Sequence, residues 1–223
     1  MTDIQKRLIK TKNELPENVK LVAVSKFHPI SALKEAYEAG ARIFGESRAQ
    51  ELVVKQEALP SDIEWHFIGH LQPNKVKYIA PFISLIHAVD SPKLLQEIDK
   101  QGRRCDRVIS CLLQLHVAQE ETKFGFTTQE CMDYLEKGEW RELHHVRICG
   151  IMCMASNTDD EEHIRRDFHA AFEFYKKAKL LYFQDRPEFC ERSWGMSSDY
   201  HVALQEGSTM VRIGTHIFGQ RAY

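Results

Sequence analysis

The sequence predicts an α/β chain folded as a single closed (β/α)8 barrel, and three observations point there. Eight short apolar runs recur along the chain, separated by stretches with helical spacing or helix-start residues. Most runs are apolar throughout rather than alternating, as strands buried on both faces of a parallel sheet require. The chain of 223 residues can bury a full core, and barrels of this length form one domain, here residues 1–223. An open doubly wound sheet is the alternative, because the seventh run is short and poorly marked.

An amphipathic helix opens the chain: MTDIQKRLIKTKNEL sets Ile4, Leu8 and Leu15 on one side. The first four candidate strands are Leu21–Ser25, Arg42–Gly45, Glu64–Gly69 and Leu85–Val89. Arg107–Leu115, Val146–Met154, Ser193–Met196 and Met210–Ile213 complete the series. Between strands, Ser47-x-x-Gln50, Thr127-x-x-Glu130 and Thr158-x-x-Glu161 fit the capping box, in which side chains satisfy the first free N–H groups of a helix. Ser91-Pro92 places a cap residue before a proline at the first helical position. The longest helix is expected from Asp159 to Phe183, with Ile164, Phe168, Ala171, Phe172 and Tyr175 as its packing face. No internal repeat, low-complexity segment or Pro/Gly-rich linker divides the chain.

Composition narrows the function classes. The chain is 43% hydrophobic and 28% charged, with a net charge of -2. Nucleic-acid and polybasic membrane partners need clustered Lys and Arg, so neither is expected. No segment is long and apolar enough for a signal peptide or a membrane span, which predicts a cytoplasmic protein. The six cysteines are scattered without a C-x-x-C pair, so reduced, mostly buried thiols are expected and a zinc site is not.

In a barrel, chemistry gathers at the C-terminal ends of strands. The first strand delivers Ser25-Lys26. A lysine there is either a strand-end ammonium reaching solvent or an amine that loses its proton on desolvation and attacks an aldehyde. After the seventh strand comes Gly195-Met196-Ser197-Ser198-Asp199, and after the eighth Arg212-Ile213-Gly214-Thr215. Small hydroxyl residues and glycine in these two loops suit a phosphate cradle, with ordinary loop and cap chemistry as the alternative for Ser197 and Ser198. Arg212 can only donate hydrogen bonds, to a ligand or to a carboxylate in a structural salt bridge. His66 and His70 lack the Glu of a zinc-protease motif, and Gly40-x-x-x-x-Gly45 is followed by Glu46 rather than Lys, so neither a metal site nor a nucleotide P-loop is predicted.

These residues follow one another in a specific order. Leu21-Val22-Ala23-Val24-Ser25-Lys26, Phe44-Gly45-Glu46, His66-Phe67-Ile68-Gly69-His70-Leu71-Gln72 with Asn74-Lys75, and Ala88-Val89-Asp90-Ser91 come first. Lys123-Phe124-Gly125, Gly150-Ile151-Met152-Cys153, Gly195-Met196-Ser197 and Gly207-Ser208-Thr209-Met210-Val211-Arg212-Ile213-Gly214 follow. From Leu21 to Arg221 the set resembles the pyridoxal phosphate homeostasis protein family, related to the N-terminal barrel of alanine racemase. The resemblance implies that the chain binds pyridoxal 5'-phosphate, held as a Schiff base on Lys26. It places Ser197, Gly214 and Thr215 at the phosphate, Arg212 opposite the pyridine nitrogen and His66 at the barrel mouth. Where the family reads F-G-E-N, this chain has Phe44-Gly45-Glu46-Ser47. Ser47 is either a shorter cofactor contact or the cap of the next helix.

Two functions of different classes follow. One is a non-enzymatic binder in cellular homeostasis of the cofactor, monomeric and serving recipient pyridoxal phosphate-dependent enzymes. The other is a pyridoxal phosphate-dependent amino-acid racemase, which needs two acid–base groups on opposite faces of its substrate. Alanine racemases draw a catalytic tyrosine from a second, β-rich domain. Because Tyr223 stands ten residues after Ile213, no such domain is expected, and no residue is assigned a catalytic role. The binder is the favoured reading, with weak racemase-type activity as its margin.

Overall fold

Apolar runs that bury side chains on both faces become the staves of a cylinder. The computed structural model describes residues 1–118 and 124–220, so Lys123, Arg221 and Tyr223 of the sequence argument lie outside the described residues. The strands are β1 (Lys20–Val24), β2 (Ile43–Glu46), β3 (Glu64–Phe67) and β4 (Leu85–Val89), then β5 (Ile109–Leu115), β6 (Val146–Cys153), β7 (Glu191–Ser193) and β8 (Met210–Ile213). All neighbours are parallel, and β1 pairs with β8 as Lys20↔Met210 through Ala23↔Ile213, closing an eight-stranded barrel. The closure excludes the open sheet.

The helices form the outer ring: α1 (Asp3–Asn13), α2 (Ile30–Glu38), α3 (Ala49–Ala58), α4 (Val76–Ile79) and α5 (Pro92–Arg104). The ring continues with α6 (Thr128–Lys137), α7 (Glu161–Tyr182), α8 (Tyr200–Gln205) and α9 (Thr215–Phe218). Two apolar regions result. Val22, Leu85, Leu112, Cys149, Met152 and Met210 cluster together, while a larger shell that includes Leu33, Leu52, Phe168 and Phe189 packs helices onto strands. Each such buried side chain contributes about 1.5–3 kcal/mol relative to exposure. At Gly150, where φ is +152°, a Cβ would stand 1.9 Å from Glu191 O, so glycine there permits the approach of β6 to β7.

The Thr127–Glu130 capping box and the Ser91-Pro92 start are both present. Thr158 is not a cap: Asp160 accepts from Glu162 N and His163 N and starts α7, while Thr158 Oγ1 accepts from Asp160 N. The Ser47 cap is also absent, for α3 follows Arg48 with no side-chain cap. Ser47 instead packs against Gly69, where an added Cβ would stand 2.7 Å from Ser47 Cβ. Leu15 falls beyond α1, which Thr2 and Gln5 open with an unanticipated capping box. Strand β7 ends at Ser193 rather than beginning there, because Gly195 turns left-handed at φ +98°.

Candidate functional site

Lys26 stands two residues beyond the end of β1 and is half-buried. The residues on either side of it are tied to a buried ionic cluster. Lys55, 3% exposed, donates to Ser25 O at 2.8 Å, Glu46 Oε1 at 2.7 Å and Glu51 Oε1 at 2.7 Å. Ser25 Oγ donates to Glu46 Oε1 at 2.6 Å, and Phe27 N donates to Glu51 Oε1 at 2.7 Å. Phe27 adopts φ 68°, a left-handed conformation that a bulky side chain resists, so the Glu51 bond holds a strained turn. Among the described residues Glu46 Oε2 has no hydrogen-bond partner, and burial raises the Glu46 carboxyl above its usual range despite Lys55.

The loops after β7 and β8 meet beside this turn. Gly214 N donates to Ser197 Oγ at 3.3 Å, and Arg212 N donates to Gly195 O at 2.9 Å. A Cβ on Gly214 would lie 3.2 Å from Val24 O and 3.3 Å from Val24 Cβ, so the β8 loop presses against the end of β1. His28 stacks on Phe218 with ring centroids 5.0 Å apart, tying the segment after Lys26 to α9. The backbone N–H groups of Thr215 and His216 open α9 and have no intrahelical acceptor. Ser197, Gly214, Thr215 and Lys26 thus share one end of the barrel, and Ser47 lies beyond neighbouring β2 on the same end.

Arg212 and His66 lie inside, 4% and 3% exposed. Arg212 Nη1 donates to Ser193 O and Ser193 Oγ, both at 2.7 Å, and Nη2 donates to Cys153 O at 3.0 Å. These are carbonyl and hydroxyl partners, in place of the carboxylate that a structural salt bridge would bring. Ser193 Oγ lies 2.9 Å from His87 Nδ1, and His87 Nε2 lies 3.0 Å from His66 Nδ1. Burial pushes His66 down to about 3 and His87 well below the usual imidazole value, so both rings are neutral. His66 therefore faces His87 in the interior rather than opening to the mouth.

Sequence reasoning missed His87, Ser193, Glu46, Glu51 and Lys55. His87 had a signal, as the one polar residue in the wholly buried run Leu85–Val89. His70 binds Asp90 at 2.8 Å and stacks on Phe124 at 3.9 Å. Among the described residues no group of three or more His, Cys, Asp or Glu could hold a metal, and no helix is long and apolar enough to cross a membrane. All six cysteines are free thiols. A cavity of about 700 Å³ lies between α1 and the β1–β2 side and touches none of the site residues.

The sequence profile of the alanine racemase N-terminal domain family matches residues 2–222. A pyridoxal phosphate homeostasis protein of Aquifex aeolicus is 38% identical over 205 residues, covering 92% of this chain and 88% of the relative. The solved structure of PipY from Synechococcus elongatus without pyridoxal phosphate superposes with a TM-score of 0.91 at 35% identity, covering 97% of this chain and all of PipY. PipY with pyridoxal phosphate bound gives a TM-score of 0.87 at 34% identity, again over 97% of this chain and all of PipY.

Proposed function

The chain belongs to the alanine racemase N-terminal domain family and, within it, to the pyridoxal phosphate homeostasis proteins, and we propose from that membership that it binds pyridoxal 5'-phosphate to keep the cofactor in supply. One observation carries the reading: Lys26, Ser197, Gly214 and Thr215 meet where β1 and β8 close the barrel. The residues present fit the group. Gly214 packs so closely on Val24 that a Cβ would meet Val24 O at 3.2 Å, its N–H holds the Ser197 hydroxyl oxygen, and the first N–H groups of α9 have no intrahelical acceptor.

When bound, the cofactor supplies an aldehyde that condenses with an amine and a pyridine ring that withdraws electrons. Lys26 is the amine, presented by a turn that Lys55 and Glu51 hold in place. Ser197 Oγ and the N–H groups of Thr215 and His216 would hold the phosphate. Ser47 adds a hydroxyl at the rim. Arg212 would face the ring nitrogen and, because a guanidinium keeps its protons, would donate a hydrogen bond without protonating the ring. His66 contributes through His87 rather than by touching the cofactor.

Arg212 would leave the ring unprotonated and so a weak electron sink. The protein therefore holds the cofactor for recipient enzymes rather than turning over an amino acid. A monomeric state and a cytoplasmic setting complete the reading. Borohydride treatment of the loaded protein should fix a pyridoxyl group on the peptide containing Lys26; label on Lys75 instead would sink the assignment. Ser197→Ala should weaken pyridoxal phosphate binding by about 1.5–3 kcal/mol, the worth of a hydrogen bond to a charged group, and leave pyridoxal binding unchanged. In deuterium oxide with L-alanine, exchange at Cα should stay about 10²–10⁴-fold below ordinary enzymatic rates, and normal turnover with D-alanine would favour a racemase.

A further inference from the structure

The polar line inside the barrel has one direction. Arg212 donates to Ser193 Oγ and cannot accept, so the Ser193 hydroxyl proton turns to His87 Nδ1. His87 then carries its proton on Nε2 and gives it to His66 Nδ1, which leaves the His66 proton on Nε2. Both rings are neutral, so Arg212 is the only charged member. Of five guanidinium N–H donors, the bonds to Ser193 O, Ser193 Oγ and Cys153 O use three. Among the described residues the other two, Nε–H and the second Nη2–H, have no protein acceptor.

We propose that Ser193, His87 and His66 are positioning residues for Arg212, forming a one-way hydrogen-bond line that fixes which guanidinium N–H groups face the cofactor's ring nitrogen. The inference rests on the pyridoxal phosphate reading and extends it to residues outside the cofactor's reach. Stapling β6, β7 and β8 together does not account for the line. Strand β7 pairs with β8 at Ser193↔Met210, and the bonds from Arg212 to Ser193 O and Cys153 O already join β6, β7 and β8. The imidazoles tie β3 and β4 to β7 across the interior, but His87 reaches β7 only through Ser193 Oγ, the hydroxyl that Arg212 also holds. They add orientation, and their burial would be costly without it. Other charged or titratable groups act on the line from its ends. Lys20 of β1, paired with Glu191 of β7, acts on His66; the Cys153 thiol of β6 and Asp199 before α8 act on Arg212, and Asp167 of α7 acts on Cys153.

The test is a pH titration of the bound cofactor's absorption, with its dissociation constant, in the wild type, His87→Phe, Ser193→Ala and His87→Gln. His87→Phe and Ser193→Ala should move the titration midpoint by about half to one pH unit and weaken binding about 2–10-fold, the size of one lost hydrogen bond. His87→Gln can accept from Ser193 and donate to His66, so it should keep the wild-type midpoint. If His87→Phe fails to fold, Ser193→Ala against His87→Gln decides alone. Variants that lose only thermal stability, with midpoint and affinity unchanged, overturn the line and leave the binding reading standing. A wild-type protein that gives no borohydride-fixed pyridoxyl group overturns both.

Discussion

Two buried polar assemblies support the candidate site residues, and they use opposite chemistry. Beneath Lys26 the assembly is ionic: Lys55 sits between Glu46 and Glu51 and reaches Ser25 O. Behind Arg212 it is neutral: a serine and two uncharged histidines. The difference follows from what each one anchors. The Lys26 turn is backbone, strained at Phe27, and charge-assisted hydrogen bonds are the strongest hold on neutral backbone groups. Arg212 is itself the cation, and under the proposed reading a carboxylate partner would satisfy a charge kept for the ligand. Neutral acceptors orient a guanidinium and leave its charge available.

Breaking the ionic assembly should cost most. Lys55→Met strands Glu46, which is fully buried, beside Glu51 with no cation between them. Removing one partner of a buried ion pair typically destabilises by about 3–5 kcal/mol. Urea unfolding should show that loss, and borohydride labelling at Lys26 should fall with it even where the variant is folded. Ser193→Ala, cutting the neutral assembly, should cost only about 0.5–1.5 kcal/mol. Equal losses in the two variants would erase the distinction.

Acid should separate the assemblies next. The buried histidines have folded values far below the unfolded one, so their contribution is complete above about pH 6.5 and is lost as the pH falls toward 3. Once the unfolded chain binds those protons, the loss is about 1.4 kcal/mol per pH unit for each ring. Unfolding free energies measured between pH 6.5 and 4.5 should carry this slope in the wild type and lose it in a His66→Gln/His87→Gln double variant. The same slope in both proteins would place the acid sensitivity elsewhere.

The barrel was legible because its strands announce themselves one at a time: Leu85–Val89 and Met210–Ile213 coincide with β4 and β8. Boundaries failed where a single residue overrides the local pattern. Gly195 ends β7 early, and Asp160 displaces Thr158 as the α7 cap. The residues at the strand ends were equally readable, since position alone brings Lys26, Ser197, Gly214 and Thr215 to one face. Their supports were not. Lys55 lies on α3, nine positions beyond Glu46, and reads as an ordinary helix lysine until the fold sets it under Ser25. His87 and Ser193 are 106 positions apart in sequence, and only barrel closure brings them together.

The smallest effect, and the one that most sharpens the contrast, comes from Glu46. Its carboxyl is fully buried, one oxygen lacks a partner, and its folded value lies above the ordinary 4.5. The folded protein thus binds this proton more tightly than the unfolded chain does. Stability from Glu46 is present below about pH 4.5 and is lost as the pH rises through the folded value, the reverse of the histidines. The histidine slope is common to the wild type and to Glu46→Gln, so the difference in unfolding free energy between them isolates this carboxyl. That difference, wild type minus variant, should fall as the pH rises from 4.5, by less than about 1.4 kcal/mol per unit for a single group, and then level off. A difference that grows with pH would mean that attraction to Lys55 outweighs burial, and the cluster beneath Lys26 would then be a fully ionised pair.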